Sequence, residues 1–298
     1  MIMTMQQQKI WFITGCSAGF GRALTETLLE RGEIVVATSR NLQQLEDWVQ
    51  QYCDMEASKS DRILVLPLDV TKPSDIQLAV NQSIETFGRI DVLVNNAGYG
   101  VFGAVEEVSD VDVRRQFETN VYGALDVTRV VLPHLRRQHS GQILNISSSG
   151  GFVGFPGAGI YCASKFALEG WSEALAKEVK SLGIHVTIVE PGAFRTEFNG
   201  KPLVLPNQAI DDYAATSGQM IQWIRQMHGQ QPGDPKKAVA AMIQAVNSLN
   251  PPLHLALGSD ALDAIHAKLE AVAADLTAWK NVSINTAFDG VVVSAIGG

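Results

Sequence analysis

From Ile10 onward, short runs of β-branched and aliphatic residues alternate with longer amphipathic stretches, and this rhythm restricts the fold more than any other feature of the chain. It is the pattern of βαβ units, because parallel strands need a long crossover between them and the crossover helices cover the sheet. Strands are predicted at residues 10–14, 34–38, 63–68, 92–95, 142–147, 185–189 and 253–257, and helices at 20–30, 73–87, 111–139 and 163–181. No linker or internal repeat divides the series, so the expected architecture is α/β: one doubly wound domain over residues 1–298, with a parallel sheet of about seven strands and helices on both faces. Two regions break the rhythm. Residues 199–235 are apolar without a strand pattern, and a segment of about 197–235 suits a mobile cap over a ligand crevice. Residues 281–298 form a tail, apolar from Val291 and then glycine-ended, to which no function is assigned.

Composition removes several classes of function. With 31 acidic against 23 Lys and Arg residues the net charge is −8, which repels nucleic acid and anionic membranes on average. Cys16, Cys53 and Cys162 have no C-x-x-C spacing, so neither a disulfide framework nor a thiolate metal site is expected, and a reducing cytoplasm fits. The histidines show no H-x-x-x-H pattern, so no metal is expected. The first nine residues are mostly polar, and no targeting or membrane segment is read.

The segment Thr14-Gly15-Cys16-Ser17-Ala18-Gly19-Phe20-Gly21 follows the first strand and opens the first helix. Glycine there lets backbone N–H groups approach a pyrophosphate at a helix N-terminus. A second match, Gly98-Tyr99-Gly100-Val101-Phe102-Gly103, opens no helix and reads as a flexible loop. The second strand ends in Thr38-Ser39-Arg40, where a site for NAD is expected to carry an acid for the ribose hydroxyls. Small hydroxyls followed by Arg40 instead suit a 2′-phosphate, so NADP(H) is preferred, with NAD(H) possible.

Tyr161 and Lys165 lie one helical turn apart, so phenol and ammonium share a helix face. A free phenol with a pKa near ~10 is a poor base at neutral pH. An ammonium ~4 Å away supplies ~4 kcal/mol at an effective dielectric near 20, enough to lower it by ~2–3 units. In the reverse direction the same phenol donates its proton to an oxygen that becomes charged.

Together these residues resemble the short-chain dehydrogenase/reductase family, over about residues 10–196. Its T-G-x-x-x-G-x-G corresponds to residues 14–21, its N-N-A-G to 95–98, its N-V-x-G to 120–123, its Y-x-x-x-K to 161–165, and its P-G segment to Pro191-Gly192 with Thr196 beyond. The resemblance implies a Rossmann-type fold and a catalytic set of Asn120, Ser148, Tyr161 and Lys165. Alternation along the strand does not choose among Ser147, Ser148 and Ser149; the family's interval of thirteen residues before the tyrosine selects Ser148. Cofactor contacts are implied at Gly15, Ser17, Ala18, Gly19, Phe20, Gly21, Ser39, Arg40, Asp69, Val70, Asn95, Ala97, Gly98, Tyr161, Lys165, Pro191, Gly192, Phe194 and Thr196. Asn120 would bend its helix and support a water leading to the lysine. Asp69 is equally compatible with capping the helix that starts near Pro73.

Met220, Trp223, Ile224 and Met227 fall at i, i+3, i+4 and i+7. They form an apolar helix stripe, read either as packing or as a hydrophobic wall over a bulky apolar carbonyl substrate. This region looks like the group near 17β-hydroxysteroid dehydrogenases, which is chemically diverse. The expected protein is an NADP(H)-preferring alcohol dehydrogenase or carbonyl reductase acting on a small molecule, assembled as a dimer or tetramer. Two competing readings are a catalytically silent NADP(H)-binding sensor and a nucleotide-sugar epimerase or dehydratase. The three residues between Gly15 and Gly19 disfavour the latter.

Overall fold

The computed structural model describes residues 8–54, 57–199, 203–206 and 208–291. In chain order the elements are β1 (Ile10–Ile13), α1 (Gly19–Glu30), β2 (Ile34–Ser39), α2 (Leu42–Asp54), β3 (Ile63–Pro67), α3 (Pro73–Phe87), β4 (Val92–Asn95), β5 (Gly100–Val101), α4 (Asp110–Phe117) and α5 (Ala124–Gln138). They continue with β6 (Gly141–Ile146), α6 (Gly159–Val179), β7 (Ile184–Pro191), β8 (Leu203–Val204), α7 (Gln219–Met227), α8 (Pro235–Val246), β9 (His254–Leu257), α9 (Ser259–Ala278) and α10 (Lys280–Ile284). Seven strands form one sheet in the order β3-β2-β1-β4-β6-β7-β9. Every pairing in it is parallel.

Strand alternation builds a core on each face. Trp11 and Ile13 of β1 pack with Leu24, Leu28 and Leu29 of α1 and with Val239, Met242 and Ile243 of α8. Ile10 and Phe12 point the other way, to Ile76 and Val80 of α3, Val127, Val131 and Leu135 of α5, and Leu175 of α6. Local signals set the helix ends. In α3, Pro73 opens the helix, Asp75 complements its N-terminal dipole, and Gly88 closes it with φ 80°. The chain winds outward from β1 in both directions, so the order reverses between β1 and β4, where a crevice opens at the strands' C-terminal ends.

The seven sheet strands match the sequence reading within one or two residues. The helix expected over 111–139 is α4 and α5 joined by a wide π turn, Glu118–Gly123, which contains Asn120. Two expectations are corrected. The glycine-rich segment at 98–103 contains a strand, and so does the region beyond 199: Gly100 and Val101 of β5 pair with Leu203 and Val204 of β8. Two-residue strands are too short to show an alternation, which is why no pattern announced them. Of the tail, Lys280–Ile284 is helical and residues 292–298 lie outside the described residues.

Candidate active site

One continuous crevice of about 1880 Å³ runs from the end of β2 across β1 and β4 to α6 and α7. Its first half is a backbone cradle. Gly15 and Gly19 adopt φ of 74° and 58°, and a Cβ on Gly15 would sit 3.0 Å from Ala97 Cα. A Cβ on Gly21 would collide with the Gly15 carbonyl and the Asn96 amide. Ala18, the N-cap of α1, offers no side-chain acceptor, and the first turn has no acid. The N–H groups of that turn are thus left for an anion. Ser39 and Arg40 line the crevice where β2 ends, and Asp69 and Val70 where β3 ends. Burial alone would raise the Asp69 pKa, but hydrogen bonds from Thr71 and the charges of Arg40 and Lys72 outweigh it and hold the carboxyl below its ordinary value. These residues fit a dinucleotide: glycines for close approach, a helix N-terminus for the pyrophosphate, and an exposed cation at the ribose end.

In the second half Tyr161 enters from the first turn of α6, with Lys165 one turn later on the same face. Both are buried. The Lys165 ammonium donates to the Ile146 carbonyl at 2.8 Å and lies 5.9 Å from the centre of the Tyr161 ring. Ser148 caps the short turn Ser149–Gly151, accepting from Gly150 N at 3.0 Å, and its hydroxyl acts on the phenol to lower its pKa. Tyr161 stacks on Phe102 at 5.4 Å and meets Phe198 at 5.6 Å. Phe155, Met220, Trp223 and Ile224 complete an apolar wall facing this group.

The short chain dehydrogenase family model matches residues 9–202, well over half of the chain. This chain belongs to the short-chain dehydrogenase family. Oxidoreductase BOA17 of Botryotinia fuckeliana is 38% identical over 279 residues, covering 94% of this chain and 99% of its own. A 3-ketodihydrosphingosine reductase of Bacteroides thetaiotaomicron is also 38% identical, over 254 residues, covering 85% and 88% respectively. The crystal structure of a short-chain dehydrogenase from Streptomyces avermitilis superposes with a TM-score of 0.86 at 42% identity, covering 95% of this chain and all (100%) of that one. ElxO with NADP bound superposes with a TM-score of 0.71 at 27% identity, covering 86% of this chain and 100% of ElxO. The protein is accordingly an oxidoreductase of this family. No helix among the described residues is long and apolar enough to cross a membrane.

Of the residues singled out from the short-chain dehydrogenase motifs, Gly15, Ser17, Ala18, Gly19, Phe20, Ser39, Arg40, Asp69, Val70, Ala97, Gly98, Ser148, Tyr161, Lys165, Pro191, Gly192, Phe194 and Thr196 all line the crevice. Three stand behind it. Gly21 serves the close packing of α1 on the glycine turn. Asn95 is buried in β4, its amide donating to Thr128 Oγ1 and Asn145 Oδ1, both at 2.8 Å, so it ties strands together; the next residue, Asn96, faces the crevice. Asn120 brackets Tyr99, accepting from its N–H at 3.1 Å and donating to its carbonyl at 2.9 Å, and also donates to Ser164 Oγ at 3.1 Å. The aromatic wall of Phe102, Phe155 and Phe198 was not legible in the sequence, because its members come from separate loops with no common spacing.

The electrostatics depart from the simple expectation for Tyr161. Burial, with the neighbouring Cys162 and Glu169, pushes its pKa above the ordinary phenol value despite the lowering influence of the Ser148 hydroxyl. Lys165 does not offset this; its own pKa is lowered to about 8 by burial. In the protein alone, the phenol is therefore held in its protonated form.

Proposed function

We propose that this short-chain dehydrogenase is an NADPH-dependent carbonyl reductase for a bulky apolar ketone or aldehyde. The observation that carries the reading is the meeting of Tyr161, Ser148 and Lys165 in one crevice with an aromatic wall and the glycine cradle. A reduced nicotinamide, when bound, supplies hydride to the carbonyl carbon. Ser148 and Tyr161 hold the carbonyl oxygen, and as negative charge develops there Tyr161 gives up its phenolic proton. The Lys165 ammonium, fixed by Ile146 O, stabilises the phenolate that remains. Burial keeps the phenol protonated before reaction, the form from which a carbonyl reduction starts.

Preference for NADPH rests on Arg40 and on the lack of an acid at Ser39, since a guanidinium pairs with a 2′-phosphate in a fixed fork. An apolar substrate is supported by Phe102, Phe155, Phe198, Trp223 and Ile224; the Bacteroides relative is named for 3-ketodihydrosphingosine. Assembly as a dimer or tetramer and a cytoplasmic setting belong to the same proposal. The test is NADPH consumption over chemically varied ketones and aldehydes, repeated with Tyr161→Phe. Turnover abolished by that substitution is expected. Cofactor binding without turnover on any carbonyl would favour a sensor instead.

A further inference from the structure

Behind the catalytic serine lies a second set of ionisable groups that the reduction chemistry leaves unused. Glu169 sits one helical turn after Lys165 on α6 and is only 4% exposed. Its Oε1 accepts from Ser147 Oγ at 2.5 Å. Glu190 of β7 is 2% exposed and is bonded by His254 Nδ1 of β9 at 2.6 Å. The other ring nitrogen of His254 reaches towards Glu173 of α6 at 3.8 Å, and with 37% of its side chain exposed His254 forms the cluster's opening to water. The ligand atoms of Glu169, Glu190 and His254 lie within 4.8 Å of one another. Each is already engaged by a hydrogen-bonding partner, so the set reads as a proton-bearing network rather than a metal cage.

We propose that Glu169 is a positioning residue of the proton-transfer site: one helical turn after Lys165, its carboxylate anchors Ser147 beside Ser148, while Glu190 and His254, whose ligand atoms lie within 4.8 Å of it, lead from that carboxylate towards solvent. The inference rests on the reading of Tyr161 and Lys165 as the proton-transferring pair.

Geometry carries the argument. Gly151 makes room for the pair, since a Cβ there would collide with both Glu169 Oε1 and Ser147 Oγ. Ser147 is fixed at both ends, its N–H donating to Val189 O at 2.7 Å and its hydroxyl to Glu169. The groups acting on Glu169 are Lys165 on its own helix, Glu190 on β7 and His254 on β9; Tyr161 in turn feels its charge, and Glu173 acts on Glu190. Asp260, on the helix that packs against the Ser149–Gly151 turn, is directed to Ala193 N at 2.6 Å.

The charges agree. Burial pushes Glu169 up to about 7, with the Ser147 hydrogen bond opposing and Glu190 adding to the rise. Burial draws Lys165 down to about 8, and Glu169 is the charge that opposes this. Between those values both groups are ionised together. Removing the carboxylate lets the lysine lose its proton at lower pH.

The test compares pH profiles of kcat and kcat/KM for NADPH oxidation with acetophenone and with 2-decanone. Wild type is set against Glu169→Gln, which keeps an acceptor for Ser147, against Glu169→Asp, and against His254→Asn. A carbon-13 titration of the Glu169 carboxyl, assigned by its loss in Glu169→Gln, is run on the enzyme without substrate. The expected result is an alkaline limb moved to lower pH by about half a unit or more in Glu169→Gln and partly restored in Glu169→Asp. The Glu169 carboxyl is expected to titrate near neutrality and to shift in His254→Asn. Superimposable profiles for wild type and Glu169→Gln overturn the proposal. If neither ketone is turned over by any form, the reductase reading fails for these probes and the NMR titration decides alone. A Glu169 carboxyl that titrates in the ordinary range, or is unmoved in His254→Asn, then overturns the inference; a near-neutral value that shifts supports it.

Discussion

In the proposed reductase Tyr161 is the proton donor, and burial holds its pKa above the ordinary phenol value. A phenol held protonated by burial is available to donate, and it does so only to an oxygen that becomes more basic than the phenolate, as a carbonyl oxygen does when hydride reaches its carbon. Tyr161→Phe removes that proton, and kcat for carbonyl reduction is expected to fall by ~10²-fold or more, with NADPH affinity measured by fluorescence little changed. Lys165 adds a pH dependence. Because it has to be charged, and burial brings its pKa to about 8, reduction is expected to decline as pH rises through that value. Glu169 contributes a stability term of definite sign. Its folded pKa of about 7 exceeds the ordinary 4.5, so the folded state holds an extra proton between those values, and stability is lost as pH rises through that window. Glu169→Gln lacks this loss. Relative to wild type it is expected to gain on the order of 1–3 kcal/mol on going from the bottom to the top of the window, as read by urea melts at both ends.

At the scale of elements, α7 deserves the closest test. Its sequence stripe differs in exposure: Ile224 is buried, Trp223 is 47% exposed, and both line the crevice with Met220. The periodicity admits both packing and a ligand wall: Ile224 packs in a core cluster, and Met220, Trp223 and Ile224 all line the crevice. Trp223→Ala is expected to lower kcat/KM for large apolar ketones about fivefold, the effect of losing ~1 kcal/mol of apolar burial, and to leave small ketones unaffected. The adjoining β5–β8 ribbon was invisible in the sequence, yet it joins the segment after β4 to the one after β7 and so frames the pocket's outer side. The π turn of Glu118–Gly123 has a comparable role. It carries Asn120 inward to bracket Tyr99, a task a regular helix residue facing solvent could not perform.

On the scale of the whole molecule, the reversal of strand order between β1 and β4 makes one crevice from parts distant in sequence. Arg40, at the end of β2, and Tyr161, at the start of α6, line the same cavity although 121 positions separate them (161 − 40). Arg40→Ala is therefore expected to weaken NADPH binding ~10–100-fold, the worth of a charged hydrogen bond, with NADH binding nearly unchanged in parallel titrations. The sheet itself depends on its two apolar faces. Phe12 is fully buried in the core beneath α3 and α5, and Phe12→Ala is expected to cost about 3–5 kcal/mol in denaturant unfolding.

Periodicity, glycine placement and ordered motifs were sufficient in the sequence alone for the parallel sheet, the cradle after β1 and the Tyr161–Lys165 pair. Each of these rests on local spacing, and local spacing survives in one dimension. Tertiary structure decided the rest. It turned Asn95 inward and Asn96 outward, gathered the aromatic wall from unrelated loops, raised the Tyr161 pKa where a lowering was expected, and brought Glu169, Glu190 and His254 together from one helix and two strands. Burial, orientation and the charges of distant neighbours exist only once the chain has closed on itself, and it is these that set the chemistry of a group whose spacing the sequence already displays.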